Sequence, residues 1–209
     1  MRSSEGLSSA AEAEFFAGVL FAEQFFMKQS RVHRALERLV RRLEEAGIPY
    51  AILGAMALNE YGYRRVTEDV DVLLTREGLE AFKRTNLGRG YVEKFPGSKG
   101  LRDTEDDTPI DVVLSGDFPG DGKPKSVVFP DPEEIALAGE RVRLLPLGKL
   151  IELKLASGLT APHRLRDLAD VMELIRRLKL DPDFADPLDA TVREKYRELW
   201  HAAQAEDDA

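Results

Sequence analysis

The chain contains no cysteine, and that single absence excludes a disulfide framework, a thiolate metal site and a cysteine nucleophile. It also lacks a long hydrophobic run. The most apolar stretch, FFAGVLFAEQFFM at residues 15–27, is too short to span a bilayer and carries Glu23. Residues 1–14 hold Glu5, Glu12 and Glu14 and show no small-residue cleavage site after a basic start, so a secretory leader is not expected. Positive charge is scarce relative to negative: 30 Lys plus Arg stand against 38 Asp plus Glu, a formal charge of -8. A surface that adheres as a whole to phosphate backbone or anionic lipid is disfavoured, which leaves room only for a local basic patch. Together these absences read as a soluble, cytoplasmic protein with no membrane partner.

What is present is ordinary for a globular chain: 209 residues, 43% hydrophobic and 33% charged. That length builds one substantial core, or a compact domain with a small helical appendage. Residues 8–28 predict a helix whose apolar face, with Phe15, Val19 and Phe26, must be covered by the body or by a second copy. Region 1–30 is therefore read as an appendage or dimer contact. Val32, Ala35, Leu36, Leu39, Val40 and Leu43 then recur at three and four, after Ser30 as N-cap and before Gly47 as stop.

Tyr50 to Leu53 reads as a short buried strand, Ala55 to Tyr61 as a helix leaving it, Val70 to Leu74 as a second strand, and 76–84 as another helix. Ile110 to Leu114 is a third strand between two segments rich in Gly, Pro and Asp, 96–109 and 115–126, both read as polar loops. Val142 to Leu145 follows as a strand. Helices are expected near 147–157, 163–179 and 190–203, with Pro182 and Pro187 setting off the last. This order predicts an α/β (α+β) class: a small mixed sheet flanked by helices over 31–145, and a helical C-terminal part over 146–209 packed on it.

The chemistry begins at VTEDVDVLL, residues 66–74. Strand side chains alternate, so Asp69 and Asp71 project to one face and Val70 and Val72 to the other. Two ionised carboxylates that close repel and raise each other's pKa unless a cation, Arg or Lys neutralises them. A hard dication answers that problem, and Mg²⁺ binds one or two carboxylates together with water and substrate phosphates. Asp111, in PIDVV, supplies a third acid at the corresponding point of another strand. The plainer alternative is that Asp69 or Asp71 accepts loop hydrogen bonds or pairs with Arg65. Upstream, AILGAMALNEYG ends a strand at Gly54 and starts a helix at once. Backbone N–H groups there suit a phosphate, although a tight turn that merely needs glycine explains the same residues.

Taken in order, the hydrophobic strand, Gly54-Ala55, the run Arg65-x-Thr67-x-Asp69-x-Asp71 and the distant Asp111 resemble the nucleotidyltransferase superfamily that shares the fold of DNA polymerase β. Within it, LGAMALNEYGYRRVTEDVDVLL is most similar to small bacterial enzymes grouped with AbiEii-type toxins and minimal nucleotidyltransferases, through Gly54, Ala57, Gly62 and that run. The resemblance spans residues 48 to about 178. It implies the nucleotidyltransferase fold and transfer of NMP from an NTP to an acceptor hydroxyl, on tRNA or a protein, in a toxin–antitoxin or phage-defence setting. Asp69, Asp71 and Asp111 are then the catalytic residues and the ligands of two Mg²⁺ ions, with Mn²⁺ as an alternative. Gly54, Ala55, Arg65, Thr67 and Lys154 are implied to bind the nucleotide and its phosphates. An antitoxin partner or a second copy would sit on the N-terminal helix. One departure stands out: Ala55 replaces the usual glycine or serine and supplies an N–H but no hydroxyl. It motivates the alternative of a catalytically silent member that binds a nucleotide or a partner protein as a regulator.

In LGKLIELKLASG, Lys154 shares a face with Leu147, Leu150, Ile151 and Gly158, so its ammonium needs an anionic partner. Arg164 and Asp167 precede the apolar stripe of the following helix. Related families place a lysine here against nucleotide phosphates; a buried Lys154–Asp167 ion pair that locks two helices is the other reading. Arg31, Arg34, Arg38, Arg41 and Arg42 line the polar side of the helix at 31–46, and their interleaving with Glu37, Glu44 and Glu45 favours a solvated face over an RNA-binding stripe. None of His33, His163 and His201 has metal-ligand spacing to another, and Trp200 reads as packing of the last helix.

Overall fold

The computed structural model describes residues 30–139 and 142–205, preceded by residues 17, 18, 20, 22, 24, 25 and 27. Of these early residues, 17, 18, 20, 22, 24 and 25 are helical and Phe25 is buried. The rest of the helix expected over 8–28, and with it the dimer or partner contact, lies outside the described residues.

The first fully described helix, α1 (Arg31–Glu45), buries all six of the apolar residues that recur at three and four. It ends where Ala46 caps it and Gly47 turns left-handed at φ +62. Ser30 stands at the N-cap, but its hydroxyl makes no capping bond to the helix backbone; it pairs with Nδ1 of His33 at 2.9 Å. Chain order then runs β1 (Ala51–Ile52), α2 (Gly54–Glu60), β2 (Val70–Leu74) and α3 (Arg76–Asn86). The Thr75 hydroxyl caps α3 by accepting from the Gly78 N–H at 3.0 Å. Next come β3 (Tyr91–Glu93), β4 (Leu101–Asp103), β5 (Thr108–Leu114), the short α4 (Pro132–Ile135), β6 (Leu137–Ala138) and β7 (Arg143–Leu144). The C-terminal part is α5 (Leu147–Thr160), a 3₁₀ turn at Pro162–Arg164, α6 (Leu165–Leu178), a second 3₁₀ turn at Pro182–Ala185, and α7 (Ala190–Ala205).

The strands form one mixed sheet in the order β3-β4-β5-β2-β1-β7-β6. β2 and β5 pair in parallel, as do β1 and β7; the other neighbours are antiparallel. The expected class, a small mixed sheet flanked by helices with a helical C-terminal part, is the architecture observed. Two local expectations are corrected. Segment 96–109 is not all loop, since it holds β4, which pairs with β3 on one side and β5 on the other. Three residues with one apolar member show no legible alternation, and β4 exists because its neighbours pair with it. The helices expected at 147–157 and 163–179 become α5, which runs on to Thr160, and α6, which starts at Leu165 after its own 3₁₀ turn.

One face of the central strands, with Val70, Val72, Ile110 and Val112, is buried in the core, and α1 packs on β2 and β5. Each fully buried Val, Ile or Leu contributes about 1.5–3 kcal/mol relative to exposure. The arginine side of α1 is neither solvated throughout nor an open stripe. Arg38 Nε donates to Asp103 Oδ1 at 3.0 Å and its Nη2 to Oδ2 at 2.7 Å, while Arg34 Nε donates to Asp106 Oδ1 at 3.1 Å. These bonds pin α1 to the β4–β5 turn, raise the Arg38 pKa, and hold the Asp106 carboxyl below its ordinary range.

Candidate active site

Parallel pairing sets Asp71 of β2 opposite Asp111 of β5, with Val72 opposite Val112 and Val70 opposite Ile110. Because alternation has period two, the valines and isoleucine enter the core and both carboxylates face the other way. Asp69 lies two residues before Asp71 and accepts a hydrogen bond from the Thr67 hydroxyl. Burial pushes the Asp71 carboxyl up to about 7, and the charges of Asp69 and Asp111 push in the same direction; Lys154 and Arg164 pull it down.

Gly54 opens α2 against this acid. Its φ is +62, and a Cβ placed on it would stand 1.8 Å from Asp71 Oδ2. The turn therefore requires glycine for its backbone and again for the room it leaves beside the carboxylate. The Leu53 N–H donates to the Asp71 backbone carbonyl at 3.2 Å, which ties the start of the helix to β2.

A cavity of about 470 Å³ opens on this face of the sheet. Its lining includes Gly54, Ala55, Arg65, Thr67, Asp69, Asp71, Asp111, Lys154, Arg164 and Asp167, so the candidate acids, the candidate phosphate-binding residues and the Arg164–Asp167 pair lie in one place. The wall opposite the sheet is a charge network. Lys154 Nζ donates to Asp167 Oδ1 at 2.9 Å and to Asp170 Oδ2 at 2.8 Å. Asp167 Oδ2 accepts from Ser157 Oγ at 2.7 Å and Arg164 Nε at 2.9 Å, and Arg65 Nη1 donates to Asp170 Oδ2 at 2.6 Å. Burial opposes ionisation of Asp167, but Lys154, Ser157 and Arg164 together hold its pKa below the ordinary value. Of the two readings of Lys154, the ion pair is the one seen, widened to include Asp170. Arg65 is likewise engaged by an acid.

Among the described residues no group of three acidic, imidazole or thiol side chains is already gathered to hold a metal ion. A hard dication here would bind one or two carboxylates and complete its shell with phosphate oxygens and water. Asp111 already has a cationic partner, the Lys94 ammonium.

Several lining residues have no part in the expected site: Lys99, Asp117, Phe118, Phe129, Ser157 and Arg166, together with His163, which has no metal-ligand spacing to another histidine. Ser157 and Asp170 had a usable signal, since each stands three residues after Lys154 or Asp167 and so on the same helix face. Lys94, Lys99 and Asp117 had none, because only the pairing of β3, β4 and β5 brings them together.

No protein-family model and no curated protein matches the chain. Solved structures do match. The antibiotic-resistance factor ANT(2″)-Ia, in complex with adenylyl-2″-tobramycin, matches at 14% identity and a TM-score of 0.49, over 83% of this chain and 97% of its own. A candidate nucleotidyltransferase from Helicobacter pylori matches at 18% and 0.46, over 82% of this chain and 91% of its own. Another from Thermotoga maritima matches at 15% and 0.47, over 67% and 91%. The likeness is one of fold alone.

Proposed function

We propose that this chain is a divalent-cation-dependent nucleotidyltransferase, moving a nucleoside monophosphate from an NTP to an acceptor hydroxyl with release of pyrophosphate. The observation that carries this reading is the register of Asp71 with Asp111, with Asp69 beside them and all three lining one cavity of about 470 Å³. Burial raises Asp71 to about 7 and the charges of Asp69 and Asp111 push it the same way; a hard cation relieves both. When bound, Mg²⁺ or Mn²⁺ on Asp69 and Asp71, with a second ion that also uses Asp111, would gather the triphosphate oxygens and lower the pKa of the acceptor hydroxyl.

The chain's own residues do the positioning. Gly54 and Ala55 both line the cavity at the start of α2, where their N–H groups can meet a phosphate. Arg164 and Arg166, both exposed and both lining the cavity, offer guanidinium donors to the departing pyrophosphate. Lys154, held by Asp167 and Asp170, acts as a fixed positive charge in the wall rather than as a mobile arm. In the reaction the acceptor oxygen bonds to the α-phosphorus as that phosphorus parts from the pyrophosphate oxygen, and the hydroxyl proton passes to the carboxylate of Asp111, one of the lining acids. Such chemistry needs alignment and charge neutralisation more than covalent help.

The resemblance to AbiEii-type enzymes points to a cytoplasmic tRNA or protein as acceptor, in a toxin–antitoxin or phage-defence role. Ala55, buried and without a hydroxyl, supports the alternative of a silent nucleotide-binding regulator. To decide, the protein is incubated with Mg²⁺, each NTP labelled at the α-phosphate, and tRNA, protein or polyhydroxylated small molecules. Label transfer is expected, and Asp69→Ala and Asp111→Ala should each reduce it at least about a hundredfold. Transfer that persists in either variant overturns the site. Mg²⁺-dependent nucleotide binding in calorimetry, with no transfer to any acceptor, selects the regulator.

A further inference from the structure

Lys94 directly follows β3, on the turn that leads to β4. Hydrogen bonds brace this turn from several sides. The Lys94 N–H donates to the Gly100 carbonyl at 3.0 Å, the Gly97 N–H donates to Glu93 Oε2 at 2.8 Å, and Lys83 Nζ reaches both Glu93 Oε1 and the Ser98 carbonyl at 2.6 Å. From that platform the Lys94 side chain crosses to β5 and pairs with Oδ1 of Asp111. Gly100 clears the path: a Cβ there would stand 3.0 Å from Lys94 Cδ and 3.4 Å from Cε. A second lysine of the same turn, Lys99, pairs with Asp117 at 3.0 Å, so both ends of the turn are tied to acids that line the cavity. The Lys94 side chain is 29% exposed and that of Asp111 47%, which leaves the pair within reach of dissolved ions.

We propose that Lys94 is a built-in countercation for Asp111, holding the third carboxylate aimed in the nucleotide-free protein and giving way when a divalent cation arrives. This rests on the reading of the site as cation-dependent. On the β2 side the paired neighbour of Asp111 is another acid, Asp71, and Lys94 brings a cation to Asp111 from the turn after β3. An ammonium–carboxylate pair this exposed is weak enough to yield to an ion of twice the charge. Once displaced, the ammonium stays on its braced turn beside Asp111, a cavity-lining acid, where the oxygens of a bound polyphosphate are the natural new partner.

Mn²⁺ titrated calorimetrically into the nucleotide-free full-length protein tests this directly. Lys94→Met removes a competitor and should bind Mn²⁺ roughly fivefold tighter than the wild type, the equivalent of about 1 kcal/mol. Lys94→Gln should behave in the same way, and Lys94→Arg should stay near the wild type. In an Asp111→Asn background Lys94→Met should bring no gain. A purely structural lysine would lower the melting temperature and leave Mn²⁺ affinity unmoved. If Lys94→Met and Lys94→Gln bind no tighter, or if the gain survives without Asp111, the inference is overturned while Mn²⁺ binding through Asp69 and Asp71 keeps the nucleotidyltransferase reading standing. If neither the wild type nor Lys94→Met binds Mn²⁺ at all, both fall.

Discussion

The carboxylate of Asp71 occupies the space that a side chain on Gly54 would need, with 1.8 Å between Oδ2 and an ideal Cβ. Gly54 also has φ +62, which costs an L-residue about 1–2 kcal/mol. Gly54→Ala should therefore lower unfolding stability in urea by at least about 2 kcal/mol. Adding Asp71→Ala should recover the part due to collision and leave the part due to strain. A Gly54→Ala protein as stable as the wild type would contradict the contact.

Asp71 also makes stability depend on pH. Its folded-state pKa, about 7, lies above the ordinary 3.8, so between those values the folded chain keeps a proton that the unfolded chain has lost. The contribution of this group to stability therefore falls as pH rises from about 4 to about 7, by at most roughly 1.4 kcal/mol per unit, and is level above. In metal-free buffer Asp71→Asn should be more stable than the wild type at pH 8 and close to it at pH 4. Mg²⁺ should stabilise the wild type more at pH 8 than at pH 5, because ligation needs the ionised carboxylate. Thermal unfolding across pH checks both; a gap between wild type and variant that ignores pH would refute them.

Lys154 is 8% exposed, and both of its acidic partners are buried. Removal of one partner from such a cluster leaves uncompensated buried charge and typically costs about 3–5 kcal/mol. Lys154→Met and Asp170→Ala should each lose that much in denaturant unfolding without nucleotide present. A loss below about 1 kcal/mol would mean that water already shares the charge.

Arg38 meets Asp103, which is 1% exposed, through two hydrogen bonds. Arg38→Ala should be destabilising on the same scale, about 3 kcal/mol or more. Arg38 is absent from the cavity lining, so NTP affinity should stay within about twofold. A stable variant that has lost RNA binding would instead revive the basic-stripe reading.

The helices and central strands were legible because each announces itself over a short span: apolar residues at three and four in α1, alternation in VDVLL and IDVVL. The site was legible in outline for the same reason. Gly54 marks a turn, and Asp69 and Asp71 share a face by local geometry alone. β3, β4 and β6 were missed because two or three residues carry no period, and their strand character comes from pairing with one another and with β5 and β7. Lys154 shows the boundary well: the sequence demands an anionic partner for it, and cannot say whether phosphate or Asp170 provides one.

By itself, then, the sequence determined which side chains share a face, because backbone periodicity is a property of neighbouring residues. Tertiary structure decided the register that sets Asp71 against Asp111, the reach of Lys94 to that acid, and the capture of Arg38 by Asp103. Among 30 Lys plus Arg and 38 Asp plus Glu, composition offers each charge many equivalent partners, and only strand pairing across distant segments selects one.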